Sequence, residues 1–509
     1  MKQSTEALGL KAIQGAGLDI AMGEQPSPWL LHYACAVNGF TARAAGKYFV
    51  YCEIGCAEGT DLLFLAAANP DGVFLGIQTD GASLAPAEAL RTAAGIANCT
   101  FIERPLANLE GLDIPPIDVL VLRGVLSRDD PAARRAVPAF VARHLKPGGM
   151  VLCSYRTPHA WAFWEPLLHF LRAAAEAPGD RASNLQQGLR ELHALRAAGA
   201  AAFQISPLMP AILDSIGEFD LQAFDQAFLR APSRLLHFDE VCGAMQDLGL
   251  RHAGALPLAV NYPAICLPAG LKERLASLPG PRLRETWKDL VRMPFFRQDI
   301  FTSAAAAERP ELPGETVFGS HLPRDQFQFS FDIPGAAAVR LNGPLFQHLA
   351  DRLAQNALPL AAILATPVLK AFAAEEILSA LAWLTAMEQV RPFACAVQEA
   401  GAMLPFRLSR FNTAVLQHQL GAGPAEVRLA SWTLGNSLAL NPRQALALLA
   451  LSEAGADQAE DWAGRWLVNH ALAGDGAPQA LSLGQILQQV RANPGSLAAL
   501  GLSEKERCI

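Results

Sequence analysis

The stretch 48–80 constrains the fold of this 509-residue chain more than any other. Its pattern predicts a strand, a glycine-containing turn, a helix, and a second strand that stops just before Asp80. Within the turn, small residues stand at Gly55, Ala57 and Gly59, so the backbone can curl tightly and approach a ligand before the helix begins. This unit is typical of half of a nucleotide-type βαβ site.

The spacing of the small residues separates two kinds of nucleotide site. A dinucleotide-binding turn would have its third small residue at position 60, which is Thr60 here. An acidic residue two positions before the first glycine is also foreign to that motif. The pattern Glu53-x-Gly55-x-Ala57-x-Gly59 instead resembles the first motif of class I S-adenosylmethionine-dependent methyltransferases. Taken alone, the turn is also compatible with a packing turn in an unrelated α/β domain.

Apolar runs after the turn predict further buried strands. They are continuous, as in strands that are covered on both faces, and they fall at 73–77, 100–102, 117–122 and 150–154. Ala-rich helical stretches lie between them. This alternation predicts an α/β fold with a doubly wound, Rossmann-like parallel sheet, whose ligand lies at the carboxyl ends of the strands.

Five segments together resemble one group of proteins. They are similar to the bacterial methyltransferases that carry a methyltransferase regulatory domain, whose best understood relatives methylate lysines of outer-membrane proteins. The order of the segments is more specific than any one of them. The segments are YCEIGCAEGTDLLFLAAANPDGVFLG, IDVLVLRGVLSRDD, HLKPGGMVLCSYRTPHAW, LHFDEVCGAMQDLGLRHAG and RETWKDLVRMPFFRQDIF.

The resemblance and the pattern divide the chain into five regions. A methyltransferase core that binds S-adenosylmethionine is expected at 1–160, a helical insertion that serves dimerisation at 161–227, and a regulatory-like domain at 228–303. The Ala-, Pro-, Gly- and Glu-rich stretch at 304–325 is predicted to be a linker. The C-terminal domain at 326–509 is predicted to be winged-helix-like at first and then helical, with residues 425–473 in helices.

The resemblance also implies which residues hold the cofactor. Glu53 is expected near the methionine amino group, and the turn formed by Gly55, Cys56, Ala57 and Gly59 is expected to offer backbone amides. The cofactor-binding residues expected at later strand ends are Gln78, Asp80 and Arg123.

Several of these positions depart from the family pattern. Ala57 stands where the family has a glycine, and Arg123 stands where it has a histidine. Gln78 replaces the acid that accepts the ribose hydroxyl protons, and an amide lacks the charge-assisted strength of a carboxylate. Arg156 replaces an asparagine. Because the changes cluster at strand ends, a second hypothesis stays open, in which a degenerate methyltransferase-fold protein serves as a non-catalytic binding or regulatory subunit.

The chemistry places few demands on individual side chains. Methyl transfer to an amine is an in-line displacement, which chiefly requires a neutral nucleophile to be aligned and desolvated. The predicted catalytic residues are Tyr155, at the end of the fifth strand, and Ser127, after the fourth. A packed phenol is the alternative for Tyr155. No metal site is predicted, because the nine cysteines lack a second pair or a histidine pair at ligand spacing.

Composition and net charge limit which classes of partner and which cellular compartment are expected. A net charge of −7 argues against non-specific nucleic-acid binding, which requires a basic face. The pattern has neither a leader segment nor an uninterrupted apolar span, which predicts a cytoplasmic protein. The predicted function is methyl transfer from S-adenosylmethionine to protein lysine, with a cell-envelope protein as a candidate substrate and a homodimer as the expected assembly. Methylation of a small molecule or a glycan stays open.

Overall fold

The computed structural model describes most of the chain. The described residues are 26–41, 48–128, 130–206, 208–230, 234–268, 270–304, 312–333, 338–354, 356–397, 407–420, 426–469 and 501–503. Strands and helices alternate in the first part of the chain. They are α1 (Pro28–Val37), β1 (Val50–Ile54), α2 (Thr60–Ala68), β2 (Val73–Gln78), α3 (Ala85–Ala94), β3 (Cys99–Glu103), β4 (Ile117–Arg123), α4 (Pro131–His144) and β5 (Leu145–Arg156).

A helical insertion and a second mixed segment follow. The insertion consists of α5 (Pro158–Ala175), α6 (Arg181–Ala197), α7 (Ala201–Ile205), α8 (Leu208–Gly217), α9 (Leu221–Phe224) and a π-helical turn (Asp225–Leu229). The mixed segment consists of α10 (Phe238–Asp247), β6 (Arg251–Leu256), α11 (Pro263–Cys266), α12 (Leu271–Ser277), α13 (Pro281–Arg292) and β7 (Phe296–Thr302).

The remaining elements form the C-terminal region. They are β8 (Val317–Gly319), β9 (Ser330–Phe331), β10 (Val339–Arg340), α14 (Pro344–Leu353), β11 (Leu358–Pro359), α15 (Leu360–Ala365), α16 (Ala374–Ala386), β12 (Arg391–Phe393), α17 (Arg410–Gln419), β13 (Val427–Ser431), β14 (Asn436–Leu440) and α18 (Pro442–Asn469). From α14 to β12 the order is helix, short strand, two helices and strand. The winged-helix-like pattern of three helices and a strand stays a prediction.

One seven-stranded sheet organises the core. Its strand order is β3-β2-β1-β4-β5-β7-β6, and β7 runs antiparallel to both of its neighbours while the other pairs are parallel. The doubly wound, Rossmann-like sheet predicted from the sequence is confirmed. Chain order reverses between β1 and β4, and such a switch point is where α/β sheets bind ligands.

Both faces of the sheet are covered, which explains the continuous apolar strands. Tyr51 packs in one core with the buried residues of α2, whereas Cys52 and Ile54 pack in the other, against α4. All five residues of β1 are buried. The apolar pattern of such a strand therefore carries no alternation.

Two predictions about the C-terminal half are wrong. Val317–Gly319, which falls in the predicted linker, is the central strand of a small antiparallel sheet with β11 and β12, and Phe318 is fully buried. Val427–Ser431 and Asn436–Leu440 form an antiparallel hairpin instead of helix. Residues 305–311 of the linker and 470–473 of the predicted helical stretch lie outside the described residues. Among the helices that are described, none has the length and apolar character needed to cross a bilayer.

Candidate cofactor site

The turn after β1 adopts the left-handed backbone that its small residues permit. Gly55, Ala57 and Gly59 have φ angles of 85°, 51° and 75°. A Cβ atom at Gly55 would lie 2.6 Å from the carbonyl oxygen of Arg123, and one at Gly59 would lie 2.5 Å from the ring of Phe101. A side chain at Gly55 would therefore collide with β4, and one at Gly59 would collide with β3. The methyl group of Ala57 is tolerated because that residue is exposed.

The buried carboxylate of Glu53 lies near the end of β1. The Glu53 side chain is fully buried, and its Oε1 lies 2.7 Å from Nε of Arg123 at the end of β4. Nη1 of Arg123 also lies 3.6 Å from Oδ2 of Asp61, in the first turn of α2. Burial disfavours the charged guanidinium, yet the two carboxylates raise the pKa of Arg123 above its usual value. The structure thus brings together Glu53 and Arg123, which the sequence predicted to be in one site.

The two predicted residues at the end of β2 serve the local backbone. The Gln78 side-chain amide donates to the carbonyl oxygen of Ala57 at 3.2 Å, and its oxygen accepts from the amide of Thr79 at 3.0 Å. Oδ1 of Asp80 accepts from the amide of Ala82 at 3.0 Å and caps a short 3-10 helix. Gln78 therefore fastens the glycine turn to β2.

Two acidic residues near the turn were missed by the sequence reasoning. Glu103 ends β3, pairs in register with Gln78, and places its carboxylate against the backbone of Gly81. Asp61 lies between Arg123 and the C-terminal region. A signal for Glu103 exists in the sequence, since it is an acidic residue directly after an apolar strand. No comparable signal marks Asp61.

Cys56 contributes backbone only. Its side chain is 6% exposed and packs close to Gly76 of β2, where a Cβ atom would lie 3.0 Å from Sγ. Burial, together with Glu53, raises the pKa of the Cys56 thiol to about 12. The thiol is therefore neutral at physiological pH and faces away from solvent.

The two predicted catalytic residues, Tyr155 near the end of β5 and Ser127 in the loop after β4, make structural hydrogen bonds. The Ser127 hydroxyl accepts from the backbone amide of Arg156 at 2.9 Å, and the Ser127 side chain is buried. The Tyr155 hydroxyl donates to Oδ2 of Asp299 at 2.6 Å, and only 1% of Tyr155 is exposed. Burial and Asp299 raise the pKa of Tyr155 well above its usual value.

Tyr155 belongs to a sealed ionic network. Arg297 binds both oxygens of Asp299 at 2.8 and 2.7 Å, and its Nη1 lies 2.6 Å from Oδ1 of Asp289. Nε2 of His252 lies 3.0 Å from Oδ1 of Asp299. Despite burial, Arg297 holds the pKa of Asp299 far below its ordinary value. This network joins β5 to β6, β7 and α13, and so fixes the strand end next to the site.

Arg156, directly after Tyr155, anchors the helical insertion. Its guanidinium lies 5.1 Å from the ring centroid of Trp161 on α5 and 5.5 Å from that of Phe228 in the π-helical turn. Such cation–π contacts are stronger when they are shielded from water. The departure from asparagine at this position therefore has a packing role.

The donors at the switch point fit a zwitterionic nucleoside. A carboxylate with no solvent exposure ends β1, and the Arg123 guanidinium beside it is 18% exposed. Exposed acids stand at the ends of β2 and β3, where hydroxyl groups of a sugar could donate to Asp80 and Glu103. A guanidinium that donates hydrogen bonds and carboxylates that accept them thus lie around the glycine turn, which suits the opposite charges and the hydroxyl groups of S-adenosylmethionine.

Comparisons with known proteins identify two domains of the chain. The family model described as "Methyltransferase domain" matches residues 52–151, and the one described as "Predicted methyltransferase regulatory domain" matches residues 227–303. Uncharacterized protein sll1526 of Synechocystis sp. is 24% identical over 430 residues, which are 83% of this chain and 84% of that protein.

Two solved structures share the fold over nearly the whole chain. Both are of PKMT2 from Rickettsia typhi, one of them in complex with AdoHcy. Each has a TM-score of 0.68 at 15% identity and covers 94% of this chain and 97% of its own. The chain therefore carries an S-adenosylmethionine-dependent methyltransferase domain followed by a methyltransferase regulatory domain.

Proposed function

We propose that the protein transfers methyl groups from S-adenosylmethionine to lysine side chains of a protein substrate. The observation that carries the proposal is the buried Glu53 carboxylate beside a turn with three left-handed residues, at the switch point of the sheet. The motifs that resemble lysine methyltransferases of outer-membrane proteins support the substrate class. A net charge of −7 also favours a lysine-bearing partner through electrostatic steering.

Four residues and the turn would hold the cofactor. Glu53 would face its amino group, the turn from Gly55 to Gly59 would offer amides, and Arg123 would pair with its carboxylate. Asp80 and Glu103 would accept hydrogen bonds from the ribose hydroxyls. When bound, the cofactor supplies a methyl group that is activated by the positive charge on sulfur.

The chain's own part in the reaction is alignment at the end of β5. The lysine nitrogen must arrive without its extra proton, which passes to solvent, and must be held in line while water is excluded. Ser127 fixes the backbone of Arg156, and Tyr155 ties β5 to Asp299. These contacts favour a positioning role for both residues, and the catalytic role predicted from the sequence stays a prediction.

Calorimetric titration of the full chain with S-adenosylhomocysteine tests the cofactor part of the proposal. We expect binding to the wild type and about tenfold weaker binding to Arg123→Gln, because a charge-assisted hydrogen bond contributes about 1.5 kcal/mol or more. Arg135→Gln, an exposed arginine on α4, is the matched control and should bind like the wild type.

The substrate class requires a separate experiment. The protein is incubated with methyl-labelled cofactor and a cell-envelope extract, and the label is followed on protein bands. Label on a protein band that disappears after prior lysine acetylation supports the proposal. Label that appears only in a small-molecule or glycan fraction contradicts the substrate class and leaves the methyltransferase assignment intact.

One observation favours a second candidate, a non-catalytic binding or regulatory subunit. Arg123 already neutralises the carboxylate that would receive the cofactor's amino group. If the wild type fails to bind at millimolar cofactor, the cofactor part of the proposal is wrong; if Arg123→Gln binds more tightly than the wild type, the arginine blocks the site. Either result would favour the second candidate.

We also propose a homodimer that pairs through the insertion. The insertion has its own buried core, yet several large apolar side chains remain on its surface. They are Phe163 at 38%, Phe170 at 36%, Leu195 at 44% and Ile205 at 83% exposure. Most soluble oligomers are two-fold, so a second copy is the expected cover for these side chains. Light scattering that gives a monomer mass at micromolar concentration would contradict the proposal.

A further inference from the structure

The C-terminal region packs along the whole length of α2, the helix that begins at the glycine turn. At its start, Oδ1 of Asp61 lies 3.5 Å from Nη1 of Arg428 on β13. In its middle, the rings of Phe64 and Phe411 meet edge to face with centroids 5.2 Å apart. The hairpin β13–β14 thus contacts the helix that positions the cofactor turn.

The far end of α2 is fixed by its C-cap residue. The Asn69 side-chain amide donates to the carbonyl oxygen of Gly435, in the hairpin turn, at 2.9 Å. Its Oδ1 accepts from Nε1 of Trp29 at 3.1 Å. Asn69 is buried, so each of these hydrogen bonds is shielded from water.

The contact at the start of α2 extends into the cofactor site. Asp61 lies between Arg428 and Arg123, at 3.5 and 3.6 Å, and Arg123 lies 2.7 Å from Glu53. Burial raises the pKa of Asp61, and the two arginines oppose that effect. Four alternating charges therefore connect β13 to the carboxylate at the end of β1. Among the described residues, removal of Arg428 leaves Arg123 as the one arginine beside Asp61, and Asp61 then competes more strongly with Glu53 for the Arg123 guanidinium.

We propose that the C-terminal hairpin sets the affinity of the cofactor turn, and that Arg428 is the positioning residue through which it acts. The proposal rests on the proposed function of the site as a cofactor site. Coupling between sites is reciprocal, so occupation of the turn would also stabilise the hairpin against α2. A protein that bound the C-terminal region would then alter cofactor affinity without touching the cofactor.

The first test compares full-length variants by calorimetric titration with S-adenosylhomocysteine. Arg428→Gln should raise the Kd about fivefold, at the lower end of typical coupling. Arg428→Lys should restore most of the affinity, because it keeps the charge. Arg324→Gln removes the exposed pair with Asp351 elsewhere in the C-terminal region and should bind like the wild type.

A second test needs no ligand. Hydrogen exchange of the backbone amides at 53–62 should be faster in cofactor-free Arg428→Gln than in the wild type or in Arg324→Gln. Unchanged exchange in the variant overturns the inference, whether or not the cofactor binds. The inference is also overturned if S-adenosylhomocysteine binds to the wild type and to Arg428→Gln with equal affinity. If S-adenosylhomocysteine does not bind to the wild type at all, the proposed function is overturned instead.

Discussion

Two ionic clusters stand at the same edge of the central sheet and differ in their access to water. At the ends of β1 and β4, the Arg123 guanidinium between Glu53 and Asp61 is 18% exposed. At the ends of β5 and β7, the Arg297 guanidinium is 4% exposed, and its partner Asp299 is fully buried. The guanidinium of the first cluster can therefore be reached from solvent. The second can lose a partner only at the cost of leaving a charge in the protein interior.

The largest effect is expected in the sealed cluster. Asp299→Ala would leave Arg297, Tyr155 and His252 without their shared acceptor. Removal of one partner from a buried charge pair costs about 3–5 kcal/mol of unfolding free energy. Urea unfolding measures the change, and thermal unfolding provides an independent check.

The control for this variant is an exposed ion pair. Asp351→Ala removes the partner of Arg324, and 60% of the Asp351 side chain is exposed. Exposed pairs contribute about 0–1 kcal/mol, so this change should have little effect. An equal loss of stability in both variants would contradict the expected difference between a buried and an exposed ion pair.

The next effect concerns the turn beside the open cluster. Gly55→Ala adds a methyl group 2.6 Å from the carbonyl oxygen of Arg123, at a φ of 85°. We expect a loss of about 3 kcal/mol, from strain plus the shift of β4, together with loss of cofactor binding. Gly111→Ala has nearly the same φ, 82°, but no atom within 4 Å of the added methyl, and should cost about 1 kcal/mol. Urea unfolding measures the loss of stability in both variants. The difference between the two losses gives the cost of the close contact at Gly55, because both variants share the backbone strain.

The smallest effect is a change in pH dependence within the sealed cluster. Burial raises the pKa of Asp289 to about 6, although Arg297 opposes this shift. The folded state therefore keeps a proton that an unfolded aspartate releases near pH 4, so this group's contribution to stability falls as pH rises from about 4 to 6. The unfolding free energy of the wild type should therefore fall by on the order of 2 kcal/mol over this pH range because of Asp289, and Asp289→Asn should lack this fall.

Urea unfolding between pH 4 and 7 checks this expectation, as the difference between variant and wild type at each pH. Other titrating groups are common to both proteins and cancel in that difference. Asp214→Asn, in an exposed pair with Arg196, serves as the control and should follow the wild type. A pH-independent difference for Asp289→Asn would show that the carboxyl is already ionised at pH 4.

The sheet could be predicted from the sequence because strands that are buried on both faces appear as continuous apolar runs. Ile117–Arg123 is a continuous apolar run apart from Asp118 and its last residue, and few other folds require several such runs between helices. The turn was predictable for a related reason, since small residues at 55, 57 and 59 mark the left-handed backbone. The predicted residues Glu53 and Arg123 meet because β1 and β4 are parallel neighbours, and Glu53 is the penultimate residue of β1 while Arg123 is the last residue of β4.

Other features depend on contacts between distant segments. The hairpin at 427–440 was predicted to be helical, because short apolar strands buried on both faces resemble helix in composition. The partners Asp61 and Arg428 lie 367 residues apart, and nothing local to either marks the pair. Tyr155 illustrates the same limit, since only the pairing of β5 with β7 brings its hydroxyl to Asp299.

The hydrogen bond between Gln78 and Ala57 has an entropic consequence for ligand binding. A carboxylate at position 78 could not donate to the Ala57 carbonyl, so the amide gives the turn an internal brace. A loop that is already ordered loses little conformational freedom when a ligand arrives, and each immobilised side chain otherwise opposes binding by about 0.5–1.5 kcal/mol. Gln78 thus favours ligand binding by holding the shape of the turn in the free protein.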